Sequence, residues 1–317
     1  MRLTGSSIFN RLPMMQSLFV VVPALALAAM LSCNSASSHP GENNLAVEDS
    51  AGFVFPAVHY SWMAGNQRDT VSNLYRRIDE PEGFYRLKVE PGSFGEWLRF
   101  LPVHPEGKKV LLHNGELKNR QDVHAAVVNI DPGTSDLQQC ADAVMRLRAE
   151  YLFSTAQYSR IHFNYTSGDN CDYTDWTKGG RIKVAGNKTS HVVTDQRSEK
   201  SDHGAFRTYM NSVFMYAGTL SLTREMISVP VDSMRIGDVF IYGGSPGHAV
   251  LVVDMCVNEK GEKLFMIAQS YMPAQEIHVL KNPGDSDLSP WYPVKFGKVL
   301  ETPEWEFESS ELKRFAE

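Results

Sequence analysis

A strand–turn–strand pattern at residues 237–254, GDVFIYGGSPGHAVLVVD, constrains the fold of this chain more than any other stretch. Two apolar β-type runs, Val239 to Tyr242 and Ala249 to Val253, flank a turn that is rich in Gly, Ser and Pro. The pattern predicts two paired strands, and His248 stands where the turn becomes the second strand. Such a position is rigid and usually close to the surface, so this histidine is a candidate functional residue.

The composition of the chain allows a sizeable core. Its 317 residues are 43% hydrophobic and 10% aromatic, which suits one large or two small globular domains. No second linker and no fixed-period repeat follows the N-terminal region, so we predict a single domain over residues 51–317. The formal net charge of -6 argues against nucleic-acid binding, which normally requires a basic surface.

The N-terminus has the residue order of an export signal. Arg2 and Arg11 precede the apolar run LFVVVPALALAAML at residues 18–31, which is short for a membrane span. The ending MLSC resembles a bacterial lipobox, which implies that residues 1–33 are a lipoprotein signal peptide and that Cys33 carries the lipid. Simple signal-peptide cleavage and an uncleaved anchor are the alternatives.

The segment after the lipobox is polar and rich in small residues, so residues 34–50 are predicted to form a flexible tether. No acidic run directly follows Cys33, which favours a periplasm-facing position over surface display. We therefore expect a protein of the bacterial cell envelope that is attached to the membrane through its lipid anchor.

The cysteine count is informative in that compartment. With Cys33 assigned to the lipid, Cys140, Cys171 and Cys256 remain, which is an odd number in an oxidising environment. At least one thiol must therefore stay unpaired within the monomer. Such a thiol is either a small buried apolar group or a group that is kept for its chemistry.

Apolar residues at helical spacing follow the turn DPGTSD and predict a helix from Leu137 to Ser154. Cys140 lies near the N-terminus of this helix, on its inward face. Unpaired backbone N–H groups and the helix macrodipole favour a thiolate there and can stabilise an oxyanion. Before the helix, the apolar runs FGEWLRFLPV, KKVLLHNG and HAAVVNID are typical of strands, so an α+β domain is predicted.

A cysteine-bearing helix that precedes Gly-Asp and Gly-His strands resembles the papain-like cysteine peptidases of the NlpC and CHAP types. The resemblance lies in QCADAV, GDVFIY and GHAVLVVD, although Gln139 replaces the usual acidic residue beside the cysteine. It implies a papain-like core with an antiparallel sheet and a nucleophile helix, enlarged by insertions. It also implies Cys140 as nucleophile and His248 as base. The alternatives are structural, with Cys140 in the core and His248 capping the turn.

A third polar residue normally orients the imidazole of such a pair and fixes its tautomer. Gln269, in the following run KLFMIAQSY, can accept the Nδ1 proton of His248 and lies near the third member in the resembling families. The predicted register does not place it directly opposite His248. Asp254 is the alternative, although it lies too far along the same strand unless the chain bends. Asp238 is interpreted as an acceptor for backbone N–H groups of the turn.

A second resemblance covers more of the chain. The stretches FGEWLRFLP, CADAVMRLRAEYL, FNYTSGDNCDYTDW and YMNSVFMYAGTLSL are similar to the bacterial lipoprotein family of the domain of unknown function DUF4846. This resemblance is broad, but it implies no activity.

No metal or other cofactor is predicted. The segment SGDNCDYTDW, residues 167–176, is acidic but lacks the ligand spacing of a calcium loop. Three further histidines lack the spacing of zinc ligands and are interpreted as surface residues: His162, His191 and His203. The methionine-rich run AFRTYMNSVFMYAGTLSL is interpreted as a core helix.

The predicted function is thiol-mediated hydrolysis of an amide bond, with a peptidoglycan stem peptide as the substrate that the compartment and the resemblance suggest. Trp176 and Arg181 are predicted to bind substrate, as an aromatic plate and a guanidinium that hold a sugar or a carboxylate. The alternative is a noncatalytic lipoprotein that presents the Trp176 loop to an envelope glycan or to a protein. A scaffold component of an envelope complex is a third hypothesis.

Overall fold

The computed structural model describes residues 47–48, 54–55, 58–63 and 72–316. Contacts divide the chain into a unit of residues 1–44, which lies outside the described residues, and a unit of residues 45–317. The predicted signal peptide, Cys33 and most of the predicted tether therefore lie outside the described residues. None of the helices in the described ranges is long and apolar enough to span a bilayer.

The described ranges contain short and medium helices together with many short strands. The α-helices are α1 (Leu74–Arg77), α2 (Phe94–Arg99), α3 (Cys140–Ser154), α4 (Tyr173–Thr177), α5 (His203–Tyr216) and α6 (Thr219–Glu225). The strands are β1 (Val47–Glu48), β2 (Val54–Phe55), β3 (Phe84–Arg86), β4 (His124–Val127), β5 (His162–Asn164), β6 (Asn170–Asp172), β7 (Gly180–Ala185), β8 (Lys188–Val193), β9 (Ile227–Ser228), β10 (Val239–Tyr242), β11 (His248–Asn258), β12 (Lys263–Gln269), β13 (His278–Leu280), β14 (Tyr292–Pro293), β15 (Val299–Glu301), β16 (Glu306–Glu308) and β17 (Leu312–Arg314).

A nine-stranded antiparallel sheet forms the centre of the fold. Its order is β4-β13-β12-β11-β10-β17-β9, with β14 beside β12 and β3 beside β11. Four two-stranded sheets accompany it: β1-β2, β5-β6, β7-β8 and β15-β16. The predicted hairpin is present as β10 and β11, in which Tyr242 pairs with His248 and Val239 with Leu251. The prediction of an α+β fold with an antiparallel sheet is confirmed.

The two faces of the central sheet contact different cores because side chains alternate along each strand. In β10, Val239 and Ile241 belong to the core that contains α3, whereas Phe240 belongs to a second core on the other face. In β11, Val250 and Val252 belong to that second core, and His248 has the same parity. Burial on both faces explains why β11 is a continuous apolar run.

Helix α3 begins at Cys140, three residues after the predicted start. The carboxylate of Asp142 accepts the backbone N–H of Gln139 at 3.1 Å, which satisfies one of the free donors at the helix start. The helix is buried around nearly its whole circumference. Two of its buried charged residues form a pair, since Arg146 Nε donates to Glu150 at 2.7 Å and Glu150 also contacts His203 at 3.0 Å.

Two of the three predicted strands before α3 are wrong. FGEWLRFLPV forms helix α2, because the Ser93 hydroxyl accepts the N–H of Glu96 and the Glu96 carboxylate accepts the N–H of Gly92. KKVLLHNG makes only isolated bridges, Leu111 to Leu117 and Leu112 to Gln275. HAAVVNID contains β4, as predicted.

The methionine-rich run forms α5, and its inward residues are buried, as expected for a core helix. They are Phe206, Tyr209, Met210, Val213 and Phe214. Asp202 begins this helix by accepting the N–H groups of Gly204 and Ala205 through its side chain. The helix thereby contributes packing to the first core.

Candidate functional site

His248 is the first residue of β11 and is fully buried. The preceding Gly247 leaves no room for a side chain, because a Cβ there would lie 2.2 Å from Oγ1 of Thr219 and 2.7 Å from the carbonyl oxygen of Gly244. This close approach of the turn fixes the start of the strand. The imidazole is then enclosed by three aromatic rings, at centroid distances of 4.9 Å (Tyr271), 5.4 Å (Trp305) and 5.8 Å (Phe307).

Gln269, the last residue of β12, holds the imidazole directly. Its Oε1 lies 2.8 Å from Nε2 of His248. Leu251 pairs with Ala268, so Gln269 is a diagonal neighbour of His248 on the same face of the sheet, and diagonal neighbours are within reach of long side chains. The prediction that Gln269 contacts Nδ1 of His248 is wrong, because the side-chain rotamer of His248 presents Nε2.

This contact leaves Nδ1 of His248 without a partner. The atom is buried and makes no hydrogen bond within the described residues. Burial lowers the pKa of His248 to about 4, although the hydrogen bond to Gln269 opposes this shift. At neutral pH the imidazole is therefore neutral, with one ring nitrogen available as a proton acceptor.

Two further side chains contact the amide of Gln269. Its Nε2 donates to Oε2 of Glu304 at 2.7 Å and lies 3.4 Å from Nε2 of His278. Glu304 lies in the turn between β15 and β16 and forms a salt bridge with Lys118. These residues come from distant segments and carry no local motif, so sequence reasoning missed them. Only the pairing of β12 with β13, which sets Gln269 beside His278, could have indicated one of them.

Cys140 begins α3 as predicted, and its side chain is almost closed to solvent. Burial raises the pKa of its thiol to about 12, and the carboxylates of Asp142 and Glu304 add to this rise. A hydrogen bond from the backbone of Cys140 acts in the opposite direction. Cys171 and Cys256 are buried and unpaired as well, so all three thiols are free. Position, rather than acidity, distinguishes Cys140 from the other two.

Tyr271 connects Cys140 with the imidazole cluster. Its ring contacts His248, and the pKa of its phenol is raised by burial and also by the neighbouring Cys140 and Glu304. No hydrogen bond joins Cys140 to His248 in the described part of the chain. The structure thus brings His248 and Gln269 into contact and relates Cys140 to them through shared neighbours. Catalytic hydrogen bonds are often longer without substrate and tighten when substrate binds.

An open groove lies beside the imidazole cluster. Trp305 and Phe307, which pack against His248, also line this groove together with Tyr242 and Glu304. These side chains form the boundary between the groove and the buried imidazole. His248, Gln269 and Cys140 are not among the residues that line the groove.

Trp176 and Arg181 contact each other. The guanidinium carbon of Arg181 lies 3.6 Å from the centroid of a Trp176 ring, and its nitrogens donate to the carbonyl oxygens of Trp176, Gly180 and Gln196. Trp176 is buried and its ring also packs edge-on against Tyr209 of α5. Arg181 therefore covers the Trp176 ring in this structure. A role for the two residues in substrate binding stays a prediction.

The two aspartates of the hairpin region have structural partners. Asp238 accepts the N–H of Arg235 at 2.8 Å, as predicted for this turn, and it also binds the guanidinium of Arg314. Asp254 contacts Arg99 and Arg86 and does not contact His248. Among the described residues, no group of three His, Cys, Asp or Glu side chains is arranged to hold a metal ion.

Acid is expected to destabilise the protein through its two buried neutral histidines. Burial lowers the pKa of His248 to about 4 and that of His278 to about 3, whereas an unfolded histidine titrates near 6.5. Between these values the unfolded chain binds more protons, so the free energy of unfolding falls as the pH falls. For His248 alone the loss from pH 7 to pH 4 should be about 3 kcal/mol.

Urea unfolding at pH 7 and at pH 4 measures this loss. We expect a smaller difference between the two pH values in His248→Gln, which removes the titrating group. The matched control His162→Gln removes an exposed histidine and should leave the difference as in the parent. An unchanged difference in His248→Gln would contradict the prediction.

Comparison with known proteins identifies a family. Neither the curated proteins nor the solved structures give a match to this chain. The family model for the domain of unknown function (4846) matches residues 74–314, which include Cys140, His248, Gln269 and Glu304. This match covers well over half of the chain, and the protein therefore belongs to the DUF4846 family.

Proposed function

We propose that this protein is a cysteine hydrolase of the bacterial cell envelope that cleaves an amide bond, with peptidoglycan stem peptides as its substrate class. The observation that carries the proposal is the imidazole of His248, held at Nε2 by Gln269 with a buried, unpartnered Nδ1. A catalytic role is one explanation for a buried polar atom without a partner, and here the atom is the proton acceptor of a neutral imidazole.

Cys140 is the nucleophile in this proposal. His248 Nδ1 takes the proton from its thiol, and the sulfur forms a bond to the carbonyl carbon of the amide. Backbone N–H groups at the start of α3 stabilise the oxyanion of the tetrahedral intermediate. When the carbon–nitrogen bond breaks, the leaving amine takes the proton from His248 and a thioester remains. Water, deprotonated by His248, then releases the acid and restores the thiol.

Chain order and location support the same proposal. The cysteine-bearing helix precedes the histidine strand, and the glutamine lies on the next strand of an antiparallel sheet, which is the arrangement that a papain-like fold requires. In that fold α3 is the nucleophile helix and the segments between α3 and β10 are insertions. Attachment to the envelope membrane through Cys33, facing the periplasm, would bring the enzyme to its substrate.

The burial of Cys140 favours a second candidate function. A thiol whose pKa is raised to about 12 is poorly reactive unless a base assists it. A noncatalytic member of the fold could instead use the open groove beside Trp305, or the Trp176 loop, to bind an envelope glycan or a protein. The two candidates differ in whether Cys140 and His248 react as a pair.

Alkylation of the full chain with iodoacetamide, followed residue by residue with mass spectrometry, separates these candidates. While the pH is below its pKa, an isolated thiol reacts about tenfold faster for each unit by which the pH rises, because only the thiolate reacts. A thiol that transfers its proton to His248 should depend less on pH, because the sulfur loses its proton to the imidazole rather than to solvent. We expect this shallower profile for Cys140 and a steeply rising profile for Cys171 and Cys256.

The variant His248→Ala provides the control. It should lower the alkylation rate of Cys140 at pH 7 at least tenfold and restore the rising pH profile. Indifference of Cys140 to His248 would reject the hydrolase and leave the binding protein.

A further inference from the structure

We propose that Glu304 is a positioning residue, which sets the protonation state of His248 by fixing the orientation of the Gln269 amide. This inference rests on the proposed function, because it assigns the nitrogen that acts as the base. Glu304 is brought to the site by the turn between β15 and β16, where Thr302 N–H donates to the carbonyl oxygen of Trp305 at 2.9 Å. The same turn carries Trp305, which packs on the imidazole.

The orientation of a glutamine amide is decided by its partners, since its oxygen accepts hydrogen bonds and its nitrogen donates them. The carboxylate of Glu304 can only accept, so the end of the Gln269 amide that faces it must be the nitrogen, at 2.7 Å. The other end, at 2.8 Å from Nε2 of His248, must then be the oxygen. This oxygen requires a proton on Nε2 of His248.

His278 leads to the same orientation. Its Nδ1 lies 2.9 Å from the carbonyl oxygen of Glu276, which can only accept, so Nδ1 carries the proton of this neutral ring. Its Nε2 is therefore an acceptor, and it lies 3.4 Å from the nitrogen of Gln269. Two acceptors thus surround the nitrogen end of the amide. Both favour the same orientation, because the reversed amide would place its oxygen against the carboxylate of Glu304 and against Nε2 of His278.

Lys118 contacts the other oxygen of Glu304. The ammonium of Lys118 forms a salt bridge with Oε1 of Glu304, and both side chains are at most one-tenth exposed. The ammonium also lies 5.9 Å from the centroid of the Tyr271 ring. An ammonium can only donate, so Glu304 accepts from Lys118 at Oε1 and from Gln269 at Oε2. The series of contacts from Lys118 through Glu304 to Gln269 therefore leaves Nδ1 of His248 as the ring nitrogen without a proton.

Removal of this constraint should affect the reaction without removing any reacting group. In Glu304→Gln the carboxylate becomes an amide that can donate as well as accept, so both orientations of Gln269 become possible. When Nδ1 of His248 carries the proton, it cannot take one from Cys140. We expect the alkylation rate of Cys140 at pH 7 to fall about tenfold, the scale of one lost hydrogen bond to a charged group. The control Glu259→Gln changes an exposed glutamate outside the groove and should leave the rate unchanged.

The tautomer itself is measurable without any activity. Long-range proton–nitrogen NMR of the full chain labelled with ¹⁵N-histidine reports which ring nitrogen carries the proton, and loss of the signals in His248→Gln assigns them. We expect a protonated Nε2 and a bare Nδ1 at His248 in the parent and in Glu259→Gln, and a shift toward protonated Nδ1 in Glu304→Gln. Unchanged signals of His203 would show that the variants are folded.

The outcomes separate the two proposals. A protonated Nδ1 at His248 in the parent chain would overturn the role of Glu304, whether or not Glu304→Gln folds. So would Glu304→Gln with an unchanged tautomer and an unchanged alkylation rate. The expected tautomers together with a Cys140 that never depends on His248 would support the positioning role and reject the hydrolase.

Discussion

Cys140→Ala is expected to abolish amide hydrolysis, with a loss of at least about 10⁴-fold in kcat/KM against soluble peptidoglycan fragments. In the proposed reaction the sulfur forms the covalent bond to the substrate, and alanine has no nucleophile to replace it. The measurement is release of cleaved stem peptide, followed by mass spectrometry. Cys140→Ser tests the same step, because a hydroxyl cannot be activated to the same degree by a histidine arranged for a thiol.

The other two cysteines provide matched controls. Cys171 and Cys256 are buried and unpaired like Cys140, but they do not begin a helix. Cys171→Ala and Cys256→Ala should therefore keep hydrolysis within about twofold of the parent. The proposal would be wrong if Cys140→Ala retained hydrolysis, or if folded Cys171→Ala and Cys256→Ala lost it as completely as Cys140→Ala.

Local patterns predict the parts of the site that each lie within one element. The hairpin β10-β11 was predictable because two apolar runs flank a turn rich in glycine, and α3 because its apolar residues recur at helical spacing. The contact between His248 and Gln269 followed from neighbouring strands. Which ring nitrogen of His248 makes this contact could not be predicted, because the side-chain rotamer depends on the aromatic residues packed around the imidazole.

Contacts between distant segments are what the sequence did not reveal. Glu304 contacts Gln269 across 35 positions and Lys118 across 186, and no short pattern relates residues at such separations. Helix α2 was a different kind of error. Its apolar residues suggested a strand, whereas the Ser93 and Glu96 pair was the overlooked sign of a helix start.

Asp254→Asn is expected to lower the free energy of unfolding by about 3–5 kcal/mol. Asp254 is fully buried and lies 2.8 Å from Nε of Arg99 and 3.1 Å from Nη1 of Arg86, whose side chains are also almost fully buried. Burial raises the pKa of Asp254, and both arginines oppose that shift by stabilising the carboxylate. An amide would leave the buried guanidinium of Arg99 without its counter-charge and would leave Arg86 with only Glu80, at 3.6 Å.

Urea unfolding at pH 7 measures this loss, with Asp287→Asn as the control because Asp287 is exposed and should change stability by less than about 0.5 kcal/mol. The pairing of β11 with β12 shifts in register between Val252 and Asp254. Asp254 therefore lies at an irregular point of the strand that begins at His248. A loss below about 1 kcal/mol would mean that the cluster contributes no more than a surface ion pair. A loss of the expected size would instead mean that these charges anchor the strand that carries the proposed base, because β11 joins the ion-pair cluster and the imidazole within one continuous element.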